Sequence, residues 1–131
     1  MKSFEKAGES TVIKFERTAC FGTCPVYEVV IRGDGSLTYT GKEFAQPKGI
    51  FKAQISPEDL RSLYERIAIS GFFEMEDAYD GPISDVPSAI TEVQITDKRR
   101  KKVINRWEAP EDLIRLETYI DKLWQKYLTE Q

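Results

Sequence analysis

The sequence predicts an α+β fold in which two helices pack on one face of an antiparallel sheet built from hairpins. Several segments alternate apolar and polar side chains and are joined by turn residues, a pattern typical of hairpins. Two further segments repeat apolar residues at helical spacing. The order along the chain is strands, helix, strands, helix. Because each helix must bury its apolar stripe, both helices are expected on the same face of the sheet.

Four strands are predicted before the first helix. Residues 11–18 alternate as a half-buried strand does, and residues 27–32 alternate in the same way. The Gly-Asp-Gly-Ser sequence at 33–36 supplies turn residues that tolerate positive φ, so a returning strand over 37–39 completes the clearest hairpin. A further short strand is expected over 50–55.

Both helices have recognisable starts. The first is expected to begin after Ser56, which can cap it, with Pro57 at its first position, and to end at Gly71. The second is expected to begin at Pro110. Its continuous apolar stripe is formed by Leu113, Leu116, Ile120, Leu123, Trp124 and Tyr127.

The segment between the two helices contains a second pair of strands. Residues 74–88 are expected to form a long acidic connection, and loops of that length are usually functional or mobile. A strand pair over 89–96 and 102–107 follows, separated by the charged stretch 97–101. The basic run 98–102 is interpreted as a solvated loop, because the chain as a whole is acidic.

Length and composition limit the class of protein. At 131 residues the chain is long enough for one domain, predicted over residues 1–131 with 1–10 as a loosely ordered segment. A hydrophobic content of 40% favours a soluble, folded domain. No apolar run approaches the roughly 20 residues that a membrane span needs. The net charge of -3 is unlike the basic field that binds phosphates, so no nucleic-acid partner is expected.

The chain has no histidine. This excludes Ser-His-Asp and Cys-His nucleophile pairs and most zinc ligand sets. The composition therefore favours a domain without catalytic activity. No catalytic residue, cofactor or metal is assigned.

The first residues bear on the location of the protein. They contain no apolar segment of about 7 to 15 residues, which a signal peptide requires. The sequence as written therefore predicts a cytoplasmic protein. A periplasmic or cell-envelope location is the alternative if a leader has been removed.

One short segment carries chemistry of its own. We call it the cysteine loop, and it reads Cys20-Phe21-Gly22-Thr23-Cys24-Pro25. The two thiols can meet across a turn, and Gly22 permits the tight backbone that bridging needs. A structural disulfide is the favoured interpretation, and a redox-active pair and a thiolate metal site remain open. The segment runs into a strand pattern rather than a helix, and a metal would need further ligands.

Arg17 falls on the inward-facing side of the first predicted strand, shortly before Cys20. A buried guanidinium must find hydrogen-bond acceptors. Carbonyl groups of the cysteine loop or a carboxylate such as Asp85 are therefore expected as its partners. The alternative is an arginine at a strand end that reaches solvent.

The segment from Arg17 to Tyr27 resembles the signature of an uncharacterised bacterial family of domains of unknown function. Further matches are Tyr-x-Gly at 39–41 and Asp-x-Pro at 85–87, and the resemblance covers roughly residues 12–124. It implies no known activity. Many members resemble exported or lipid-anchored proteins, which would favour an oxidised cysteine pair.

From these residues the sequence predicts a binding or interaction module that uses the region of the cysteine loop, with a protein or a small ligand as its partner. The alternative is a thiol-disulfide redox protein or a thiolate metal-binding protein that uses Cys20 and Cys24. The oligomeric state is not predicted. The candidate site residues are Arg17, Cys20, Gly22, Cys24, Pro25, Tyr27 and Asp85.

Overall fold

A computed structural model describes residues 10–83, 86–96 and 99–129 of the chain. The strands before the first helix are β1 (Val12–Arg17), β2 (Tyr27–Arg32), β3 (Ser36–Gly41) and β4 (Gly49–Gln54). The remaining elements are α1 (Pro57–Ser70), a 3-10 turn (Phe72–Glu74), β5 (Ala78–Tyr79), β6 (Ala89–Thr96), β7 (Arg99–Asn105) and α2 (Glu111–Thr129).

The strands form a seven-stranded sheet in the order β4-β3-β2-β1-β6-β7-β5. Neighbouring strands are antiparallel, except that β5 runs parallel to β7. The apolar side chains of one sheet face and those of α1 and α2 form one buried cluster, so both helices cover the same face. The predicted α+β fold is confirmed.

Strand alternation explains how the core is built. Phe15 of β1 lies between Val29 of β2 and Thr91 of β6, and Val29 in turn lies beside Tyr39 of β3. All four side chains are buried on the helix side. Their strand neighbours point to the other face, which is polar and partly exposed. A one-residue shift in register would exchange the two sets, so burial fixes the pairing.

The first helix begins and ends as the sequence predicts, and α2 begins at Glu111, one residue after the predicted start at Pro110. The Ser56 hydroxyl accepts a hydrogen bond from the backbone N–H of Asp59 at 3.1 Å, with Pro57 at the first position of α1. Gly71 ends α1 in the left-handed conformation, with φ of 71°. In α2 the buried residues are Leu113, Leu116, Glu117, Ile120, Leu123 and Trp124. None of the described helices is long and apolar enough to cross a membrane.

The interpretation of the basic run as a loop is wrong where the structure describes it. Arg99 to Lys102 form the first half of β7, which is paired with β6. The register of this pairing shifts at a bulge between Gln94 and Thr96 of β6. A strand near the sheet edge can hold consecutive charged residues because its side chains alternate between solvent and the rim of the core. Lys101 illustrates this, since its ammonium lies 2.8 Å from a carboxylate oxygen of Asp77.

The long connection after α1 is more structured than expected. It contains β5, and the backbone N–H groups of Arg106 and Trp107 donate to the Tyr79 carbonyl. An ion pair of 2.6 Å joins Arg106 to Asp80. Gly81 lies against the Trp107 ring, leaving no room for a Cβ atom. Residues 84 and 85 lie outside the described residues, as do 1–9 of the segment expected to be loosely ordered.

Candidate functional site

The site begins with a row of side chains that crosses the sheet. Arg17, the last residue of β1, is paired directly with Tyr27, the first residue of β2. On its other side Arg17 is paired with Ala89 of β6, which is paired with Asn105 of β7. Alternation places all four side chains on the helix side.

Asp121 of α2 is the acceptor at the centre of this row. Its Oδ2 atom accepts hydrogen bonds from Nη2 of Arg17 at 2.8 Å and from Nε at 3.1 Å. Its Oδ1 atom accepts from the Tyr27 hydroxyl at 2.5 Å and from Nε1 of Trp124 at 2.9 Å. Arg17 Nε also donates to the Tyr27 hydroxyl at 3.0 Å. A single carboxylate therefore connects the last residue of β1 and the first residue of β2 to the C-terminal helix.

Burial and charge determine the protonation states in this cluster. Burial of Arg17 opposes its charge, but the carboxylate of Asp121 and the Tyr27 hydroxyl outweigh it and raise the pKa of the guanidinium. Burial, followed by hydrogen bonding to Asp121, raises the pKa of Tyr27 well above its usual value. Tyr27 is thus a neutral donor and Arg17 a permanent cation. The guanidinium also lies 5.1 Å from the centre of the Phe15 ring.

Glu117 lies one helical turn before Asp121 and is only 4% exposed. Asn105 Nδ2 donates to both of its carboxylate oxygens, at 3.1 and 2.9 Å. Burial raises the pKa of Glu117, and the negative charge of Asp121 adds to this rise, while the Asn105 hydrogen bond and the Arg17 charge oppose it. The cluster therefore holds a buried acid beside its ion pair.

Aromatic rings pack beside the cluster and fix its position. Trp124 stacks on Tyr39 with ring centres 4.4 Å apart and tilts against Tyr27 at 5.1 Å. The Tyr39 hydroxyl donates to the Pro47 carbonyl at 2.8 Å. Gly41 is the β3 partner of Tyr27, and a Cβ atom there would lie 2.0 Å from that carbonyl. The Tyr-x-Gly sequence thus serves close packing at the same end of the sheet.

The connection from β1 to β2, residues 18–26, projects from this cluster. It contains the cysteine loop, in which Cys20 and Cys24 are joined by a disulfide. Gly22 has a φ of 153°, a conformation that favours glycine. The Phe21 side chain between the two cysteines is 87% exposed. Residues 18–26 contain no charged side chain.

Backbone hydrogen bonds hold both ends of this connection. The Thr18 N–H donates to the Ser88 carbonyl at 3.0 Å, and the Ser88 N–H donates to the Thr18 hydroxyl at 2.8 Å. At the other end the Val26 N–H donates to the Glu43 carbonyl at 2.9 Å. The cysteine loop is therefore presented on a fixed base.

The structure brings some of the predicted site residues together. Arg17 and Tyr27 lie in direct contact, and the cysteine loop joins the strands that they end and begin. Asp85 lies outside the described residues. The anionic partner of Arg17 in the described part of the chain is Asp121, which the sequence analysis did not single out.

Asn105, Glu117 and Asp121 were missed, although α2 carried a signal for two of them. Glu117 and Asp121 follow Leu113 at intervals of one helical turn, so they occupy positions that should face the core. Acids at such positions need buried partners. Only the apolar residues of this helix were predicted to face the core. For metals, no group of three or more candidate ligands occurs among the residues that the structure describes.

Fold and site together define a class of protein, a small α+β domain in which a disulfide-closed loop is mounted on a half-buried Arg-Tyr-Asp cluster. Residues 11–124 match the family described as "Domain of unknown function (DUF6438)", and the chain belongs to that family. The matched range extends from the start of β1 through Trp124 and includes the cysteine loop. No curated protein matches the chain.

Proposed function

We propose that this domain is a non-catalytic protein-binding module that uses the cysteine loop as its contact surface, with Phe21 as the anchor that enters an apolar pocket of the partner. The observation that carries the proposal is the exposure of Phe21, 87%, between two bonded cysteines. A phenylalanine so exposed leaves a large apolar area in water. Burial of that area in a partner is favourable.

The composition of the loop supports a protein partner. Interface centres are poor in charged residues and rich in aromatic ones. Residues 18–26 have no charge, while 31% of the whole chain is charged. A few buried aromatic anchors usually supply most of the binding energy at such a surface.

The base of the loop supports the same function. Arg17 and Tyr27 flank the loop in sequence, and both donate hydrogen bonds to the carboxylate of Asp121. The disulfide removes further freedom between Cys20 and Cys24. A contact loop that is ordered before binding loses little conformational entropy on binding, so more of its contact energy appears as affinity.

A photoreactive group at the proposed anchor tests this function. Benzoylphenylalanine replaces Phe21 in the full chain, which is then irradiated in the cells that natively express it. The matched control carries the same group at Ile69 of α1, which is 80% exposed. We expect an adduct of defined mass at position 21 that excess wild-type chain prevents and the Phe21→Ser variant does not. The same adducts from both positions, or none at position 21, would overturn the proposal.

The captured partner allows a quantitative test. Phe21→Ser should weaken its binding about thirtyfold or more, as truncation of an anchor residue does. The melting temperature should not change, because Phe21 is almost fully exposed. Equal affinity of the variant and the wild type would overturn the role of Phe21.

A thiol-disulfide or thiolate metal-binding protein is the alternative, and one observation favours it. Both cysteines are only half-buried, so a reductant can reach the disulfide. Cys24 leads through Pro25 into β2, so no helix begins at the pair to activate a thiol. Rapid labelling of the reduced chain by iodoacetamide at neutral pH would favour this alternative, and slow labelling would favour the binding module.

A further inference from the structure

The turn that follows β3 holds an aromatic residue in an unfavourable backbone conformation. The Ala45 N–H donates to the Lys42 carbonyl at 3.2 Å, which places Phe44 at the third position of a β-turn. Phe44 has a positive φ of 59°. Glycine or asparagine is preferred at a turn position with positive φ, because a Cβ atom there crowds the backbone. The sequence thus has phenylalanine where the backbone favours glycine.

Burial in the fold does not account for this phenylalanine. The neighbouring Ala45 is 3% exposed and belongs to the core, whereas Phe44 is 53% exposed. Residues that are held in strained backbone conformations cluster at ligand-binding and switch regions. Phe44 combines such a conformation with a large apolar area in water, so it is a candidate contact residue.

Phe44 lies at the same end of the sheet as the cysteine loop. The Val26 N–H donates to the Glu43 carbonyl at 2.9 Å, and the Lys42 N–H donates to the Val26 carbonyl at 2.8 Å. Val26 directly follows the cysteine loop, and Glu43 directly precedes Phe44. Chain geometry therefore keeps the Cα atoms of Phe21 and Phe44 within roughly 30 Å of each other. An interface of about 800 Å² on each partner spans that distance.

We propose that Phe44 is a second anchor of the interface that the cysteine loop forms, held in its strained conformation so that its ring enters a second apolar pocket of the same partner protein. This inference rests on the proposed function. Because both anchors stand on one rigid base, their spacing is fixed. The partner is therefore a folded protein with two apolar pockets at a matching distance, since an extended peptide offers side chains rather than pockets.

Charge favours a protein over a lipid surface as the occupant. Membrane surfaces commonly carry a negative potential that attracts clusters of basic residues. The chain has a net charge of -3. In the turn itself Lys42 and Glu43 carry opposite charges, so Phe44 is not accompanied by a basic cluster. Apolar anchors in such surroundings fit the pockets of a protein better than an anionic membrane.

A photoreactive group at position 44 tests the shared interface. Benzoylphenylalanine replaces Phe44 in the full chain, which is irradiated in the cells that natively express it. We expect an adduct of the same mass as the one formed from position 21. Phe21→Ser should lower the yield from position 44 about fivefold or more, because the loop anchor supplies much of the affinity. The control is Ile69, which is 80% exposed and should not give this adduct.

The affinity of the captured partner gives the contribution of each ring. Phe44→Ala should weaken its binding about tenfold, while Ile69→Ala should not change it. Combining Phe21→Ser with Phe44→Ala should weaken binding by about the product of the two single effects, roughly three hundredfold, because the rings enter separate pockets. Equal affinity of Phe44→Ala and the wild type would overturn the inference.

Two substitutions separate the ring from the backbone conformation. Phe44→Ala and Phe44→Gly both remove the ring, but only glycine adopts a φ of 59° without strain. Both variants should weaken partner binding to a similar extent. The glycine variant should melt about 2 °C or more above the alanine variant. A glycine variant that melts below the alanine variant would overturn the strained conformation on which the inference depends.

The outcomes separate this inference from the proposed function. An adduct from position 21 without the same adduct from position 44 would overturn the second anchor alone. No adduct from position 21 would overturn the proposed function and, with it, the shared interface. Binding of the wild-type chain to vesicles of phosphatidylcholine and phosphatidylserine, or self-association that Phe44→Ala abolishes, would assign Phe44 to a membrane or to a second copy and would overturn the inference.

Discussion

Arg17 at the end of β1 and Asp121 in α2 form an ion pair of 2.8 Å across a sequence separation of 104 residues. The same carboxylate accepts the Tyr27 hydroxyl, which begins β2. The pair therefore fixes the C-terminal helix on the end of the sheet from which the cysteine loop projects. Loss of either charge should affect both the stability of the domain and the base of the loop.

Asp121→Asn should destabilise the domain. The variant leaves the Arg17 charge half-buried and without its counter-ion. Removing one partner of a fully buried pair costs about 3–5 kcal/mol. We expect about 2 kcal/mol, because 32% of the Arg17 side chain is exposed and solvent screens it. Urea unfolding measures the difference in free energy of unfolding.

The matched control is Glu111→Gln, which breaks the exposed ion pair of Glu111 with Arg115 on the same helix. That variant should cost less than about 0.5 kcal/mol. If Asp121→Asn costs no more than Glu111→Gln, the ion pair does not hold α2 on the sheet.

Glu117 should make stability depend on pH. Burial raises its pKa in the folded state above the ordinary value of 4.5, so the folded state binds the proton more readily than the unfolded state. The contribution of protonated Glu117 to the free energy of unfolding is therefore fully present below pH 4.5, and it is lost as the pH rises through the raised pKa. Glu117→Gln removes the ionisation. The free energy of unfolding of the variant minus that of the wild type should be larger at pH 7 than at pH 4. Urea unfolding at the two pH values measures this difference.

The control for this effect is Gln125→Ala, at an exposed position of α2 that has no ionisable side chain. Its difference from wild type should be the same at both pH values. A constant difference between Glu117→Gln and wild type would mean that the buried acid does not titrate with folding.

Gly41→Ala should destabilise the end of β3. The new methyl group would lie 2.0 Å from the Pro47 carbonyl and 2.8 Å from the Tyr39 hydroxyl, whose hydrogen bond must then shift. Overpacking of this kind costs about 1–3 kcal/mol. Thermal unfolding measures it, with Thr40→Ala on the neighbouring position as the control. Equal melting temperatures for the two variants would show that the Pro47 segment moves aside freely.

The parts of the fold that local patterns encode could be predicted. Alternation gave β1, β2 and β3, and the Ser56 cap with Gly71 gave α1. β5 was missed because two residues in parallel pairing with β7 have no local signature. The start of β7 was missed because consecutive basic residues hide the alternation of a strand.

Of the Arg17, Tyr27 and Asp121 cluster, only the two residues on the strands could be predicted from the sequence. Arg17 and Tyr27 were predicted as site residues because they lie beside the cysteine loop in the sequence. Asp121 meets them only after α2 has docked on the sheet, and no local spacing encodes a contact across 104 positions. The positions of Glu117 and Asp121 within an apolar stripe indicated buried acids, but not their partners.

The disulfide should stabilise the domain only modestly. In the chain-entropy model, closing so short a loop removes about 2 kcal/mol of freedom from the unfolded state. Replacing both Cys20 and Cys24 by Ser should therefore cost about that much or less, and Arg17, Tyr27 and Asp121 should keep their contacts because they lie outside the loop. Adding a reductant should lower the melting temperature of the wild type and leave that of the double variant unchanged. A wild type that does not respond to the reductant would show that the bond does not stabilise the fold, and a larger loss in the double variant would mean that the cysteine loop supports the sheet beyond its own span.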